Sequence, residues 1–234
     1  DFQKSDALQH AASCARSLRD TKRADELLGQ IPIDAVAKTE RMESLLAQRK
    51  FTALIEQFGS EDLSKWPFWQ IGAGAFARSR AYVSAKEGEK AEADLQTALS
   101  YTSATRPRIS ILTTMGNNRE TNLQDDGAAL EAFRQNYESK KGIGAADEYR
   151  SLQGAARILA RQGKIDEALA TLNRADIEKQ KGYWRHAMLL SLGEVLEAAG
   201  RKAEALKAYR NVQADESALK SHREKAGEAI KSMK

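Results

Sequence analysis

The sequence predicts an all-α protein, an array of about six helix pairs closed by a C-terminal capping helix. Its 234 residues include only three prolines, and the chain is rich in Ala, Leu, Glu, Lys and Arg, which favour helices. Two segments, "AARILARQGKIDEALATLNRA" at 155–175 and "LGEVLEAAGRKAEALKAYRNV" at 192–212, are near copies. Similar segments in series are typical of proteins in which each unit packs on its neighbours.

The second helix of each predicted pair carries a small or apolar residue followed four positions later by a large one. Residues four apart lie on one face of a helix, so this pattern marks the packed face. The six occurrences are Ala24/Leu28, Leu54/Phe58, Ala91/Leu95, Ala129/Phe133, Ala168/Leu172 and Ala205/Tyr209. Their first members are separated by 30, 37, 38, 39 and 37 residues. The last four intervals indicate a regular repeat, with one residue inserted in the fourth unit.

A first helix of similar length precedes each second helix, and small residues dominate the positions where the two are predicted to meet. Small side chains permit a close approach, which offsets the helix penalty of glycine, about 1 kcal/mol. The predicted contact residues are Ala12, Met42, Ser79, Gly116, Ala156 and Gly193.

The turns within and between pairs have their own sequence markers. Gly163 and Gly200, and less regularly Gly88, stand where a first helix is predicted to end in a left-handed residue. Proline is costly inside a helix, and all three prolines are predicted to fall between pairs. They are Pro32, Pro67 and Pro107.

The two best-matched units resemble the tetratricopeptide repeat family. The matching residues are Leu192, Gly193, Leu196, Gly200, Ala205 and Tyr209 in one unit, and Ala155, Ala156, Leu159, Gly163, Ala168, Leu172 and Ala175 in the other. The resemblance implies a right-handed superhelix whose concave groove is lined by the first helix of each pair. It also implies a noncatalytic scaffold that binds proteins or peptides in that groove.

The resemblance is expected to cover one domain, residues 1–234, with unequal quality along the chain. Residues 1–66 form degenerate repeats, residues 67–215 match better, and residues 216–234 contain the capping helix, predicted at about 217–232. Such a helix would cover the open end of the array.

Charge and composition disfavour several classes of function. The net charge is +4, from 37 basic and 33 acidic residues that are interspersed, whereas nucleic-acid binding usually needs clustered positive charge. No apolar run is long enough to span a membrane. The single Cys14 excludes an internal disulfide, and a start at Asp1 indicates a processed or truncated chain. The compartment, cytoplasmic or exported with a removed signal, therefore stays open.

No arrangement of residues indicates catalysis, a metal or another cofactor. His10 and Cys14 lie four apart, but zinc needs three or four ligands, so Cys14 is expected to be a small buried residue. The "IGAGAF" segment at 71–76 lacks the residues of a phosphate loop and is interpreted as close helix packing. Asp125 and Asp126 are interpreted as helix caps.

Two segments leave a structural and a functional interpretation open. "WPFWQ" at 66–70 is either an apolar staple at a helix start or a platform on which a ligand stacks. "GNNRETN" at 116–122 places polar residues of poor helix propensity in a helix. It is either a solvated face or fraying end, or a groove site that uses Asn117 and Glu120.

Groove residues are predicted by carrying over the inward positions of the family's first helices. These candidates are Arg80, Asn117, Gln153, Arg157 and Arg161, with Glu194 and Glu197 of opposite sign toward the C-terminus, and the polar segment at 116–122 adds Glu120. A groove that is basic in its middle predicts an acidic or carboxylate-ended segment as the ligand. The alternative is that the arginines only pair with neighbouring acids.

Two other functions stay open at this point. Some helical-repeat proteins bind single-stranded nucleic acid, although these repeats lack a recurring pair of base-reading side chains. A structural or oligomerisation domain without a ligand is the other.

Overall fold

A computed structural model describes residues 2–138 and 145–233 of the chain. These residues form thirteen α-helices and two short 3-10 helices, with no strand among them. The chain divides into two compact units, Asp1–Gln124 and Asp125–Lys234, and each is described by itself. The all-α class is therefore confirmed for the described residues, while the single domain stays a prediction.

The N-terminal unit contains seven of these helices and the 3-10 helix Leu63–Lys65. The helices are α1 (Phe2–Ser17), α2 (Thr21–Leu28), α3 (Asp34–Ala47), α4 (Phe51–Phe58), α5 (Phe68–Ser84), α6 (Gly88–Ser100) and α7 (Thr105–Thr121).

The C-terminal unit contains the other six and the 3-10 helix Ile177–Lys179. They are α8 (Asp126–Glu138), α9 (Ala145–Arg161), α10 (Ile165–Asn173), α11 (Gly182–Ala198), α12 (Lys202–Ala214) and α13 (Lys220–Ser232). The predicted capping helix is α13, which begins three residues later than expected.

Within each unit the helices pack in one repeating order. The two helices of a pair contact each other, the second helix also contacts the first helix of the next pair, and successive first helices lie side by side. In the N-terminal unit the side-by-side first helices are α1, α3, α5 and α7, and in the C-terminal unit they are α9 and α11, with the capping helix α13 against α11. Each unit therefore has a surface made of first helices, as the sequence predicts.

Five turns within pairs share one hydrogen-bonding pattern. In the α11–α12 turn, Gly200 is left-handed at φ +70° and the Arg201 amide donates to the Leu196 carbonyl. This six-to-one bond is the Schellman motif, which satisfies carbonyls left unpaired at a helix end. The corresponding bonds in the other four turns join Asp20 to Ala15, Lys50 to Leu45, Glu87 to Tyr82 and Lys164 to Leu159.

Glycine takes the left-handed position in only two of these turns. Gly163 and Gly200 do so as predicted, but Arg19, Arg49 and Lys86 have positive φ in the others. The prediction for Gly88 was wrong, because Gly88 is the first residue of α6 and Lys86 is left-handed instead. Gly88 serves a close approach: a Cβ there would lie 2.7 Å from Leu123 Cδ2.

The linker from α7 to α8 is one residue longer than the other turns. It contains four residues, 122–125, against three in each of the five turns above, and Gln124 is its left-handed residue. The inserted residue predicted in the fourth unit is therefore confirmed. Asp125 accepts a hydrogen bond from the Ala128 amide at 2.9 Å, which is the predicted capping role.

Glycines allow large aromatic side chains into the contacts between helices. A Cβ on Gly193 would lie 2.5 Å from Tyr209 Cε1, and one on Gly154 would lie 2.5 Å from Phe133 Cε2. In the N-terminal unit, a Cβ on Gly74 would likewise lie 2.5 Å from Trp66 Cζ3. The structural role predicted for Gly193 and the close packing predicted at 71–76 are confirmed.

The polar "GNNRETN" segment joins α7 to the preceding pair. Asn118 is fully buried and donates to the Gly88 carbonyl at 3.0 Å, while Asn122 donates to the Val83 carbonyl at 3.1 Å. Arg119 forms an ion pair with Glu92 at 2.7 Å. A solvated face or fraying end does not describe these three residues, because Asn118 and Asn122 bind carbonyls beside the α5–α6 turn and Arg119 pairs with an acid of α6.

Two further expectations need correction. Cys14 is exposed, because α1 buries the face that carries Ala12 and Ala15. Pro107 is the third residue of α7 and does not lie between pairs. A proline is tolerated in a first turn because the amide it lacks would have no partner within the helix.

Candidate functional site

The predicted groove residues lie on first helices in both units. Arg80 is on α5 and Asn117 and Glu120 are on α7, in the N-terminal unit. The remaining three, Gln153, Arg157 and Arg161, are all on α9 in the C-terminal unit.

The three candidates on α9 line one cleft between α9 and α11. Its volume is about 270 Å³, and apolar side chains form its floor. These are Ala156, Ala160, Val195 and Ala198. We call this site the α9–α11 cleft. Gln153 closes one end, where its amide donates to the Ala187 carbonyl at 3.0 Å and to Ser191 Oγ at 2.9 Å.

Charged side chains surround this apolar floor. Arg157 and Arg161 are exposed, and Glu194 is half-buried on the α11 side. Arg161 Nε donates to Asp126 Oδ2 at 3.1 Å, and Glu194 forms an ion pair with Lys225 of α13. The cleft thus combines a small apolar pocket with exposed guanidinium groups, which suit recognition of a carboxylate.

The candidates of the N-terminal unit have different surroundings. Arg80 Nη1 donates to both carboxylate oxygens of Glu43, at 2.8 and 2.9 Å, and its guanidinium lies 5.7 Å from the centre of the Phe76 ring. Asn117 and Glu120 are half-buried. Arg80 therefore bridges two first helices, α3 and α5, in the ion pairing that the sequence left open as an alternative.

The aromatic residues of "WPFWQ" divide between core and surface. Trp66 is buried against Gly74, and its indole N–H donates to Glu61 Oε1 at 3.1 Å. Hydrogen bonds from Lys38 and then from Trp66 lower the pKa of the Glu61 carboxyl. Phe68 is 76% exposed and Trp69 is 41% exposed. Trp66 therefore has a structural role, while Phe68 and Trp69 stay accessible to a partner.

One histidine and carboxylate pair in the C-terminal unit has the spacing of a catalytic dyad. His186 Nε2 lies 2.8 Å from Asp215 Oδ2, and hydrogen bonds from Ser217 and then His186 strongly lower the pKa of Asp215. The His186 side chain is only 1% exposed, so a substrate cannot reach it. The pair fastens α11 to the segment that joins α12 to α13.

Neither a metal-binding group nor a membrane span is found where the structure is described. Residues 2–138 and 145–233 contain no cluster of three or more His, Cys, Asp or Glu side chains suited to a metal. Within the same residues, every helix is too short or too polar to cross a bilayer.

Together the described helices define an all-α protein of repeated helix pairs. No protein-family model matches the sequence. No curated protein matches it either. Among solved structures, the chain is similar to a tetratricopeptide repeat protein from Parabacteroides merdae, with 16% identity, 99% of each chain covered and a TM-score of 0.47.

The structure also identifies residues that sequence reasoning missed. Asn118 and Asn122 were part of a segment with a recognised anomaly in helix propensity, but their carbonyl partners lie 30 and 39 positions away. Tyr101, which is 52% exposed beside Phe68 and Trp69, had no signal in the sequence pattern.

Proposed function

We propose that this protein is a noncatalytic scaffold that binds a protein or peptide partner through its first helices. The observation that carries the proposal is the α9–α11 cleft, where exposed Arg157 and Arg161 stand beside an apolar floor. The resemblance of the best-matched units to tetratricopeptide repeats supports the same function.

The cleft favours a ligand that carries both a carboxylate and a small apolar group. The guanidinium groups bind the carboxylate of an acidic side chain or a chain end, for which Arg161 exchanges its ion pair with Asp126, and the alanine-lined floor accepts an apolar side chain. Because the arginines are exposed, salt weakens this attraction, which is screened beyond about 10 Å at 0.1 M ionic strength. The partner is therefore an acidic or carboxylate-ended segment bound with salt-dependent affinity.

Reversal of charge at Arg157 tests the proposal. The probes are fluorescein-labelled heptapeptides of glycine and serine with a central Glu-Val-Glu, compared with Gln-Val-Gln and Lys-Val-Lys. Arg157→Glu is expected to weaken binding of the Glu-Val-Glu peptide about tenfold or more, as measured by fluorescence polarisation. Arg210→Glu, an equal charge change at an exposed site on α12, is the matched control.

The same assay separates the other two functions. Equal binding by wild type and Arg157→Glu would move the acid-binding site away from the α9–α11 cleft. Tight, steeply salt-dependent binding of a random 20-nucleotide RNA without peptide binding would favour a nucleic-acid protein. Binding of neither probe would favour a domain without a ligand.

A further inference from the structure

A second surface, in the N-terminal unit, exposes aromatic side chains in one groove. It is lined by residues of α1, α3, α5 and α7 and of the segment between α6 and α7, and its volume is about 550 Å³. We call it the aromatic groove, after Phe68, Trp69, Phe76 and Tyr101, which lie along it together with Ile111. Its volume falls within the range of about 300 to 1,000 Å³ that is usual for ligand sites.

The concentration of exposed aromatic surface distinguishes this groove. Phe68, Trp69 and Tyr101 are exposed by 76%, 41% and 52%, and all three line it. Large apolar side chains on a surface are ordinary when scattered, but when they share one concave site they mark an interaction surface.

The segment that carries Tyr101 is fixed against the neighbouring helices by close packing and hydrogen bonds. A Cβ on Gly72 would lie 2.9 Å from Thr102 Oγ1 and 3.3 Å from Tyr101 Cβ. The segment after α6 therefore packs closely on α5 at Gly72. Arg108 Nη1 links that segment to the end of α6, because it donates to the Leu99 carbonyl at 2.9 Å and to the Thr102 carbonyl at 3.1 Å. Tyr101 is therefore presented by a braced segment, which lowers the entropy cost of binding.

Both carboxylates that line the groove are already ion-paired. Glu40 pairs with Arg16 and accepts a hydrogen bond from Gln9 at 2.7 Å, and Glu43 pairs with Arg80 at 2.8 Å. A charged ligand group would have to compete with these pairs, whereas an uncharged apolar group would not. Charge complementarity thus favours a neutral ligand.

The length of the groove favours a polypeptide. It extends at least from α3 across α5 to α7, and neighbouring packed helices lie about 8 to 10 Å apart, so two such steps span about 16 to 20 Å. An extended chain covers that length with about five or six residues. We propose that the aromatic groove binds a neutral segment of a partner polypeptide through its aromatic or aliphatic side chains.

This inference rests on the proposed function, because it assumes that the ligand is a polypeptide, but it uses a different site. The probes are labelled heptapeptides of glycine and serine with a central Phe-Ser-Phe or Leu-Ser-Leu, beside the Glu-Val-Glu and Lys-Val-Lys peptides. The double variant Phe68→Ser/Trp69→Ala is expected to weaken binding of the Phe and Leu peptides at least tenfold. Tyr183→Ser, which removes an aromatic side chain that is 49% exposed in the C-terminal unit, should change it less than twofold.

A stability measurement and an alternative variant keep the test decisive. The unfolding midpoint is measured for each variant, and Tyr101→Ser replaces the double variant if that variant does not fold. Failure of wild type to bind the Phe and Leu peptides, equal binding by the variants, or a preference for Lys-Val-Lys would overturn the inference. Binding of Glu-Val-Glu that depends on Arg157 would leave the proposed function standing in each of those cases.

Discussion

The α5–α6 pair of the N-terminal unit and the α11–α12 pair of the C-terminal unit have the same helix and turn lengths but different side chains at corresponding positions. In both pairs the first helix has 17 residues, the second has 13, and three residues join them. Arg78 and Asp94 of the first pair correspond to Leu192 and Ala208 of the second, since each position differs by 114. One backbone arrangement therefore accepts an ion pair or two apolar side chains at the same two positions.

Arg78 also binds backbone carbonyls, which the apolar Leu192 at the corresponding position cannot do. Arg78 donates to Asp94 at 2.7 and 2.8 Å and also to the carbonyls of Phe58 and Glu61, at 3.1 and 2.7 Å. Phe58 is the last residue of α4, where carbonyls lack partners within the helix. The guanidinium thus joins three helices, and the comparison indicates that the N-terminal unit uses charge to satisfy a helix end.

The largest effect is expected when this ion pair is broken from one side. Asp94→Ala leaves the mostly buried Arg78 without its counter-charge, which should lower the free energy of unfolding by about 3 to 5 kcal/mol. The double variant Arg78→Leu/Asp94→Ala, which copies the C-terminal pair, should be more stable than the sum of the single effects by about 2 kcal/mol. Urea unfolding measures both quantities.

An exposed acid on the same helix provides the control for this cycle. Glu89→Ala should change stability by less than about 0.5 kcal/mol. Additive effects of the Arg78 and Asp94 substitutions would show that the two side chains do not act together.

A smaller effect is expected at the contact between the helices of each pair. Gly193 meets Tyr209 in the C-terminal pair, whereas the corresponding residues of the N-terminal pair are Ser79 and Leu95. Gly193→Ala should cost about 1 to 3 kcal/mol because its methyl group would overlap the tyrosine ring. Adding Tyr209→Leu, which copies Leu95 of the N-terminal pair, should recover part of the lost stability, as measured by thermal and urea unfolding.

Gly127→Ala is the matched control for the glycine substitution. A Cβ at Gly127 has only ordinary contact, at 3.5 Å from Asp125 Oδ1, so the change should be neutral or stabilising by up to about 1 kcal/mol. Equal stability of Gly193→Ala and wild type would contradict the close approach of Gly193 to the Tyr209 ring.

The smallest effect is expected from an exchange of turn residues. Lys86 at φ +62° and Gly200 at φ +70° occupy corresponding turns, and a left-handed conformation is costly for any residue with a Cβ. Lys86→Gly should stabilise the protein by about 0.5 kcal/mol, after allowance for the greater freedom of glycine in the unfolded chain. Gly200→Lys should destabilise it by about 1 kcal/mol. Stability changes of the opposite sign in urea unfolding would show that the left-handed conformation does not decide stability at these two positions.

Most of the repeating architecture could be predicted because it depends on local periodicity. The spacing of Ala205 and Tyr209, and the glycines at 163 and 200, express helix packing and turn geometry within about 40 residues of sequence. Left-handed Lys86 could not be predicted, because lysine gives no preference for that conformation and only the surrounding packing imposes it.

The candidate site was predictable in part, for a related reason. Helical spacing brought Gln153, Arg157 and Arg161 to one cleft, since all three are on α9. The partners of Arg80 and Arg161, Glu43 and Asp126, lie 37 and 35 positions away on other helices. Periodicity identifies the face of a helix, but it does not identify which acid on a neighbouring helix comes within reach.

The bonds between neighbouring pairs also bear on how quickly the protein folds. Asn122 to Val83, Gln153 to Ser191 and Arg80 to Glu43 connect residues 39, 38 and 37 positions apart in a chain of 234. Each of these bonds closes a loop of about one repeat, and such a loop costs less entropy to close than one that joins distant parts of the chain. Each newly synthesised pair can therefore pack on the preceding pair before the remainder of the chain has left the ribosome.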